Sequence, residues 1–166
     1  MKKKYILGCT GHIDLSRIKD FDEQALKERI RSYLQNLCTS YVVELYSGLA
    51  FGADCLFAEE AFSCGAKVHA VLPCPAEEFA AEQPDGGVLF HRLIVKAQSV
   101  IFAENAKERY VGVSEYIVNQ CDELLAIWDG KELPLTDDSG RSVNRGGTYH
   151  TILLAEKAGK PVRIFN

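Results

Sequence analysis

Short apolar runs alternate along this chain with segments of helical periodicity, and this alternation constrains the fold more than any other feature. Each run is nearly continuous in apolar residues, which is typical of a strand buried on both faces of a parallel sheet. The predicted strands are Tyr5–Cys9, Val42–Tyr46, Val68–Leu72, Ser99–Phe102, Glu123–Trp128 and Pro161–Phe165. Because helical segments connect them, the sequence predicts an α/β fold, a Rossmann-like three-layer sandwich with a mostly parallel sheet of about six strands.

The segments between the strands carry the helical pattern. Apolar residues recur at three- and four-residue steps from Ile18 to Leu37, which predicts an amphipathic helix. Further helices are predicted over Phe51–Ser63, Leu89–Ala97, Tyr110–Asn119 and Thr148–Lys157. Residues 76–88 are predicted to form a loop or broken helix, and residues 131–145 a long polar loop. A chain of 166 residues fits one domain, so residues 1–166 are predicted to form a single unit.

Charge and cysteine usage narrow the classes of function. The net charge of -4 and the absence of a basic run disfavour nucleic acid and acidic membrane surfaces as partners. No apolar stretch approaches the roughly 20 residues of a membrane span, and no signal-peptide core follows the first lysines. The six cysteines form neither a C-x-x-C pair nor a zinc-site pattern. We therefore expect reduced core cysteines, no metal and a cytoplasmic location.

Two glycine-rich turns precede predicted helices. One is Ser47-Gly48-Leu49-Ala50-Phe51-Gly52-Ala53-Asp54, and the other is Arg145-Gly146-Gly147-Thr148. Glycine permits positive φ and a close approach of the backbone to a ligand, and a helix N-terminus attracts anions such as phosphate. The candidate binding residues are Ser47, Gly48, Gly52, Ala53, Asp54, Arg145, Gly146, Gly147 and Thr148. Each turn, taken alone, is also compatible with a plain strand-to-helix connection.

Two further positions join these turns at the same edge of the predicted sheet. Gly11-His12 follows the first strand and Asp129 follows the fifth. Right-handed crossovers place the carboxyl ends of parallel strands together, and ligands bind in the crevice outside that edge. His12 is suited to contact phosphate or to transfer a proton, and Asp129 to bind ribose hydroxyls. A surface histidine and a turn-forming Asp-Gly are the alternatives.

Taken together, these motifs resemble the SLOG superfamily of Rossmann-like domains, which includes the LOG proteins and the DNA-processing protein of natural competence. The resemblance covers nearly the whole chain and is closest to small stand-alone bacterial members. It rests on Gly8–His12, Ser47–Asp54, Asp122–Gly130, Gly146–Thr151 and Gly159–Val162. The resemblance implies a nucleotide or nucleotide-derived ligand, bound by Gly48, Gly52, Ala53 and Asp54 on one loop and by Gly146, Gly147 and Thr148 on the other.

Two departures from the family pattern bear on catalysis. LOG phosphoribohydrolases carry P-G-G-x-G-T-x-x-E, and Thr151 stands at the glutamate position of this chain. Many stand-alone members carry an Arg-Asn pair before the fifth strand, where this chain has Val113-Ser114. A hydroxyl supplies neither the carboxylate that stabilises an oxocarbenium-like centre nor a base.

Three functions therefore stay open at the level of sequence. The first is a ligand-binding or sensor protein for a nucleotide-type small molecule, without a resident cofactor. The second is a nucleotide-processing hydrolase in which Asp54, Asp129 or His12 supplies the missing group. The third, a nucleic-acid-handling module, is disfavoured by the net charge of -4. The oligomeric state is also open, and a homo-oligomer is one of the alternatives.

Overall fold

A parallel sheet forms the centre of the computed structural model, which describes residues 1–103, 109–132 and 147–166. Its strands are β1 (Lys3–Gly11), β2 (Tyr41–Ser47), β3 (Lys67–Leu72), β4 (Ser99–Phe102), β5 (Glu123–Ile127) and β6 (Val162–Phe165). They lie in the order β4-β3-β2-β1-β5-β6, and every neighbouring pair is parallel. The predicted α/β Rossmann-like fold is confirmed.

Helices cover both faces of this sheet. They are α1 (Glu23–Ser40), α2 (Ala53–Ser63), α3 (Ala76–Ala81), α4 (Val88–Ile94), α5 (Arg109–Gln120) and α6 (Thr148–Lys157). Leu7 and Leu45 belong to the core beneath α1 and α2, whereas Val71 and Leu124 belong to a second core with α5 and α6. Burial of one such side chain contributes about 1.5–3 kcal/mol to folding.

Two helices begin later than the apolar periodicity predicts, because local capping sets their first residues. The side chain of Asp22 accepts a hydrogen bond from the backbone N–H of Ala25 at 3.1 Å and starts α1 at Glu23 rather than Ile18. Leu49 and Gly52 have positive φ values of 51° and 91°, so α2 begins at Ala53 rather than Phe51. The chain before α2 is therefore a tight turn.

The sheet order fixes where a ligand can approach. From β1 the chain moves through β2 and β3 to β4, and then returns to the opposite side of β1 with β5. The direction of winding reverses between β1 and β5, and in open α/β sheets a crevice forms outside the strand ends at such a point. Gly11 ends β1, and Asp129 follows β5 by two residues. These two predicted site residues flank the reversal point.

Two further predictions from the composition concern the state of the cysteines and the presence of membrane-spanning helices. All six cysteines are free, and Cys9, Cys55, Cys74 and Cys121 are buried. Within the described ranges, no helix is long and apolar enough to cross a bilayer.

Candidate functional site

A pocket of about 560 Å³ lies at the carboxyl edge of the sheet, around the point where the winding reverses. Its volume is within the range of small-molecule sites. The end of β1, the turn before α2 and the start of α6 each contribute to its lining. Six of the predicted site residues line the pocket: Gly11, His12, Gly48, Asp54, Gly147 and Thr148. Thr151, at the position of the missing glutamate, also lines it.

His12 connects three elements at the back of the pocket. Its Nε2 lies 3.1 Å from the backbone N–H of Asp129, and its Nδ1 lies 3.5 Å from Oγ1 of Thr148. Burial, together with the positive charge of Arg17, lowers the pKa of His12. The imidazole is therefore neutral at pH 7. His12 holds the ends of β1 and β5 against α6.

The Asp129 carboxylate is engaged within the protein. Its Oδ2 lies 3.0 Å from Nη2 of Arg17, its Oδ1 lies 3.2 Å from Nε2 of His12, and Oδ1 also accepts from the backbone N–H of Lys131 at 3.1 Å. Burial opposes ionisation of Asp129, but the Lys131 N–H, His12 and Arg17 outweigh it and lower its pKa. Asp129 lies at the predicted edge, yet its side chain orients His12 and Arg17 and is not among the groups that line the pocket.

Close backbone packing explains two glycines of the site. A Cβ on Gly52 would lie 2.3 Å from the backbone oxygen of Ile13, and a Cβ on Gly11 would lie 2.2 Å from Cβ of Ala53. The N–H of Ala53 donates to the backbone oxygen of His12 at 3.1 Å. Gly11 and Gly52 therefore bring the end of β1 against the start of α2.

The turn before α2 uses much of its backbone hydrogen-bonding capacity internally. Leu49 N–H donates to Oγ of Ser47 at 3.1 Å, Ala50 N–H to Oδ2 of Asp54 at 3.3 Å, and Phe51 N–H to Oε1 of Gln83 at 2.9 Å. Ser47 itself is fully buried. Ser47 therefore shapes the turn, and the side chain that the turn presents to the pocket is Asp54.

Asp54 is the most perturbed acid of the pocket. Its side chain is half-buried and lines the pocket. Burial raises its pKa to about 7, against the opposing effect of hydrogen bonds from the Ala50 N–H and the thiol of Cys9. Cys9 Sγ lies 3.9 Å from Oδ1, so this second contact is long. A carboxyl group with a pKa near neutrality is characteristic of functional sites.

The start of α6 forms the opposite wall. Gly147 caps the helix with an extended backbone, and Thr148 and Thr151 are buried. Oγ1 of Thr151 lies 2.9 Å from Oγ of Ser114 and 3.3 Å from the backbone oxygen of Gly147. Thr151 and Ser114, each at a position where the sequence departs from the family pattern, are thus in direct contact. Together they form an uncharged hydroxyl pair where the pattern has a glutamate and an asparagine.

An apolar wall completes the pocket, and sequence reasoning missed it. Its residues come from the end of β3, the segment after it, α3 and α5: Val71, Pro73, Phe79, Val113 and Ile117. The only sequence signal is that Pro73 follows directly after β3, at the same edge as the glycine turns. Arg17 and Asp14 also line the pocket. Arg145 and Gly146, predicted as binding residues, lie outside the described residues.

No group of three or more His, Cys, Asp or Glu side chains suited to a metal occurs within the described ranges.

No protein-family model matches the sequence, and no curated protein matches it. Solved structures do match the fold.

The first similar structure is the DNA processing protein A (DprA) of Streptococcus pneumoniae, with a TM-score of 0.63 and 16% identity over 96% of this chain. The chain spans 50% of that protein's length. The DprA of Helicobacter pylori, described by its single-stranded DNA binding mode, matches with a TM-score of 0.60 and 14% identity over 96% of this chain and 64% of that one.

The third is the molybdenum cofactor carrier protein of Chlamydomonas reinhardtii, with a TM-score of 0.56 and 17% identity over 98% of this chain and 76% of that one. At these identities the likeness concerns the fold. The chain therefore shares the Rossmann-like fold of these proteins, as the alternation of strands and helices in its sequence predicts.

Proposed function

We propose that the chain binds a nucleotide-type small molecule in the pocket at the carboxyl edge of its sheet, as a ligand-binding or sensor protein. The observation that carries the proposal is the convergence of Gly48 and Asp54 with Gly147 and Thr148 on one pocket of about 560 Å³. The turn before α2 and the start of α6, far apart in the sequence, meet there, at the place where α/β sheets bind ligands.

Different parts of the pocket suit the base and the phosphate of such a ligand. Part of the pocket wall is apolar, lined by Phe79, Val113 and Ile117, and an apolar wall suits the faces of a planar base. The start of α6 is near Gly147, where the first-turn N–H groups and the helix dipole favour a phosphate. The side chain of Arg17 is 47% exposed and lines the pocket, with its guanidinium paired with Asp129.

Binding without turnover is the simpler proposal because the hydroxyl groups of Thr151 and Ser114 bond to each other. A pair of neutral hydroxyls has no means of stabilising an oxocarbenium-like centre. One observation favours a second candidate, N-glycosidic hydrolysis of a nucleotide: the pKa of Asp54, at about 7, suits a general acid or base.

A thermal-shift and calorimetric panel of nucleoside monophosphates, ADP-ribose and cyclic nucleotides tests the proposal. A ligand present at 100 times its Kd stabilises the protein by about 2.7 kcal/mol. The Gly147→Val variant, which places a branched side chain at the start of α6, is expected to lose this stabilisation. Glu115→Gln, an exposed change on α5, is expected to keep it. No response to any member of the panel contradicts the proposal, and release of free base identifies the hydrolase instead.

Partners and location follow as further proposals. A net charge of -4 favours a small molecule over nucleic acid, although single-stranded DNA binding is described for a protein of the same fold. A low-salt gel shift with single-stranded DNA separates the two. Free cysteines favour a reducing compartment such as the cytoplasm.

A further inference from the structure

The carboxyl group of Asp54 has few donors for its charged form. Among the described residues, no cation pairs with it, and the guanidinium of Arg17 is committed to Asp129. Its two hydrogen bonds, from Ala50 N–H at 3.3 Å and from the Cys9 thiol at 3.9 Å, are long. A carboxylate accepts about four hydrogen bonds. Two or so acceptor positions on Asp54 therefore remain for a group inside the pocket.

The space in front of this carboxyl group is kept open by a glycine. A Cβ on Gly48 would lie 3.0 Å from Oδ2 of Asp54 and 3.6 Å from Cγ1 of Val113. Val71 and Val113 line the pocket beside it. The carboxyl group therefore has the methyl group of Val113 on one side and the backbone oxygen of Val71, 3.8 Å from the same Cβ position, on the other, and the absence of a side chain on Gly48 leaves room for the edge of a flat heterocycle.

The chemistry of a carboxylate distinguishes among such heterocycles. A carboxylate only accepts, and it pairs best with two parallel N–H donors. Guanine offers this pair in its ring N1–H and its exocyclic amino group. Adenine offers an amino donor beside a ring nitrogen that carries a lone pair, so only one of the two contacts is favourable. Hypoxanthine keeps the ring N–H but lacks the amino group.

We propose that Asp54 is a specificity-determining residue that selects a base with two adjacent N–H donors, as guanine has, within the nucleotide class. This inference rests on the proposed function of nucleotide binding and names the class of base that the same pocket takes. The ligand donors would supply the hydrogen bonds that the protein itself leaves unmade, and Gly48 would leave room for the edge of the ring.

Calorimetric titration of the full chain with GMP, IMP and AMP at pH 8, where Asp54 is mostly ionised, tests the inference. One hydrogen bond to a charged acceptor contributes about 1.5–3 kcal/mol, so the wild type is expected to bind GMP at least about tenfold more tightly than IMP. AMP is expected to bind more weakly than GMP by a similar factor or more. Equal affinities for GMP and IMP, or a preference for AMP, overturn the inference.

The Asp54→Asn variant provides the matched second readout. A carboxamide presents one acceptor and one donor, so it cannot accept from both adjacent N–H donors of guanine, whereas it matches the amino group and the ring nitrogen N1 of adenine. The variant is therefore expected to lose the GMP preference and to gain affinity for AMP, while Glu115→Gln keeps the wild-type order. A GMP preference that persists in Asp54→Asn also overturns the inference.

The outcomes separate the two proposals. If AMP, GMP and IMP bind equally well, the assignment of Asp54 fails and nucleotide binding stands. If none of the three nucleotides binds, and the wider panel gives no response, both proposals fail. If Asp54→Asn does not fold, the ratio of GMP to IMP affinity in the wild type decides the inference by itself.

Discussion

Replacing Asp54 by Asn is expected to change how the stability of the fold depends on pH. The Asn side chain keeps an oxygen to accept from the Ala50 N–H and has nearly the same shape, but it carries no charge at any pH. In the wild type, burial raises the pKa of Asp54 to about 7, from an ordinary value of 3.8. The folded state therefore retains a proton that the unfolded state releases between about pH 4 and pH 7.

The sign and size of the effect follow from proton linkage. Where the folded state binds more protons than the unfolded state, the free energy of unfolding decreases as pH rises. A difference between 3.8 and about 7 corresponds to about 4 kcal/mol in total, and about 2–3 kcal/mol of it falls between pH 5 and pH 8. These figures are upper values, since the carboxyl group faces an open pocket.

Urea denaturation of the wild type and Asp54→Asn at pH 5 and pH 8 measures the difference. The wild type is expected to lose about 2–3 kcal/mol more than the variant between the two pH values. Other titrating groups are common to both proteins, so their contributions cancel in the comparison. If the two proteins show the same change with pH, then Asp54 titrates normally and the argument from burial is refuted.

Three further predictions concern packing and protonation in the same region. Gly52→Val should lower the free energy of unfolding by more than about 2 kcal/mol, because its Cβ would lie 2.3 Å from a backbone oxygen. Gly65→Val, whose Cβ would have nothing within 4 Å, should cost only the strain of its positive φ. Equal decreases in the melting temperatures of the two variants would contradict this prediction. Because the folded-state pKa of His12 is lowered, its contribution to stability is present above pH 6.5 and should be lost as pH falls below it. Denaturation of His12→Asn at pH 5 and 7 should show a smaller acid loss than the wild type, and an equal loss would count against the burial of this ring. Thr151→Val leaves the hydroxyl of Ser114 without its partner and should lower the free energy of unfolding by about 1–3 kcal/mol. Adding Ser114→Ala should restore part of this loss in the double variant. If the effects of the two substitutions on the free energy of unfolding are additive, the contact is refuted.

The fold and the meeting of the site residues could both be predicted from the sequence, because both depend on the order and pairing of the strands. Apolar runs identify the strands, and parallel pairing then brings the ends of β1, β2 and β5 to one edge, so Gly11, Gly48 and Asp54 come together without knowledge of any side-chain contact. The same topology places His12 and Asp129 side by side.

The directions of the side chains within the turns could not be predicted from the spacing of residues in the sequence. Spacing does not reveal that Asp129 pairs with Arg17 and His12, or that the amides of Leu49 and Phe51 are bonded inside the turn. These details depend on individual φ values, which are set by packing. The apolar wall was missed for a related reason, because helical periodicity gives a buried face without saying whether a core or a pocket lies against it.

The central claim is that a nucleotide-type ligand occupies the pocket at the carboxyl edge of the sheet. A two-dimensional amide NMR spectrum, titrated with GMP and AMP, tests it most directly because it reports both binding and location. We expect saturable chemical-shift changes concentrated at the amides of Gly11, Gly48 and Thr148. The amides around Phe62, near the end of α2, and around Lys96, just after α4, should not change. Absence of saturable shifts, or shifts centred on that second region, would contradict the account.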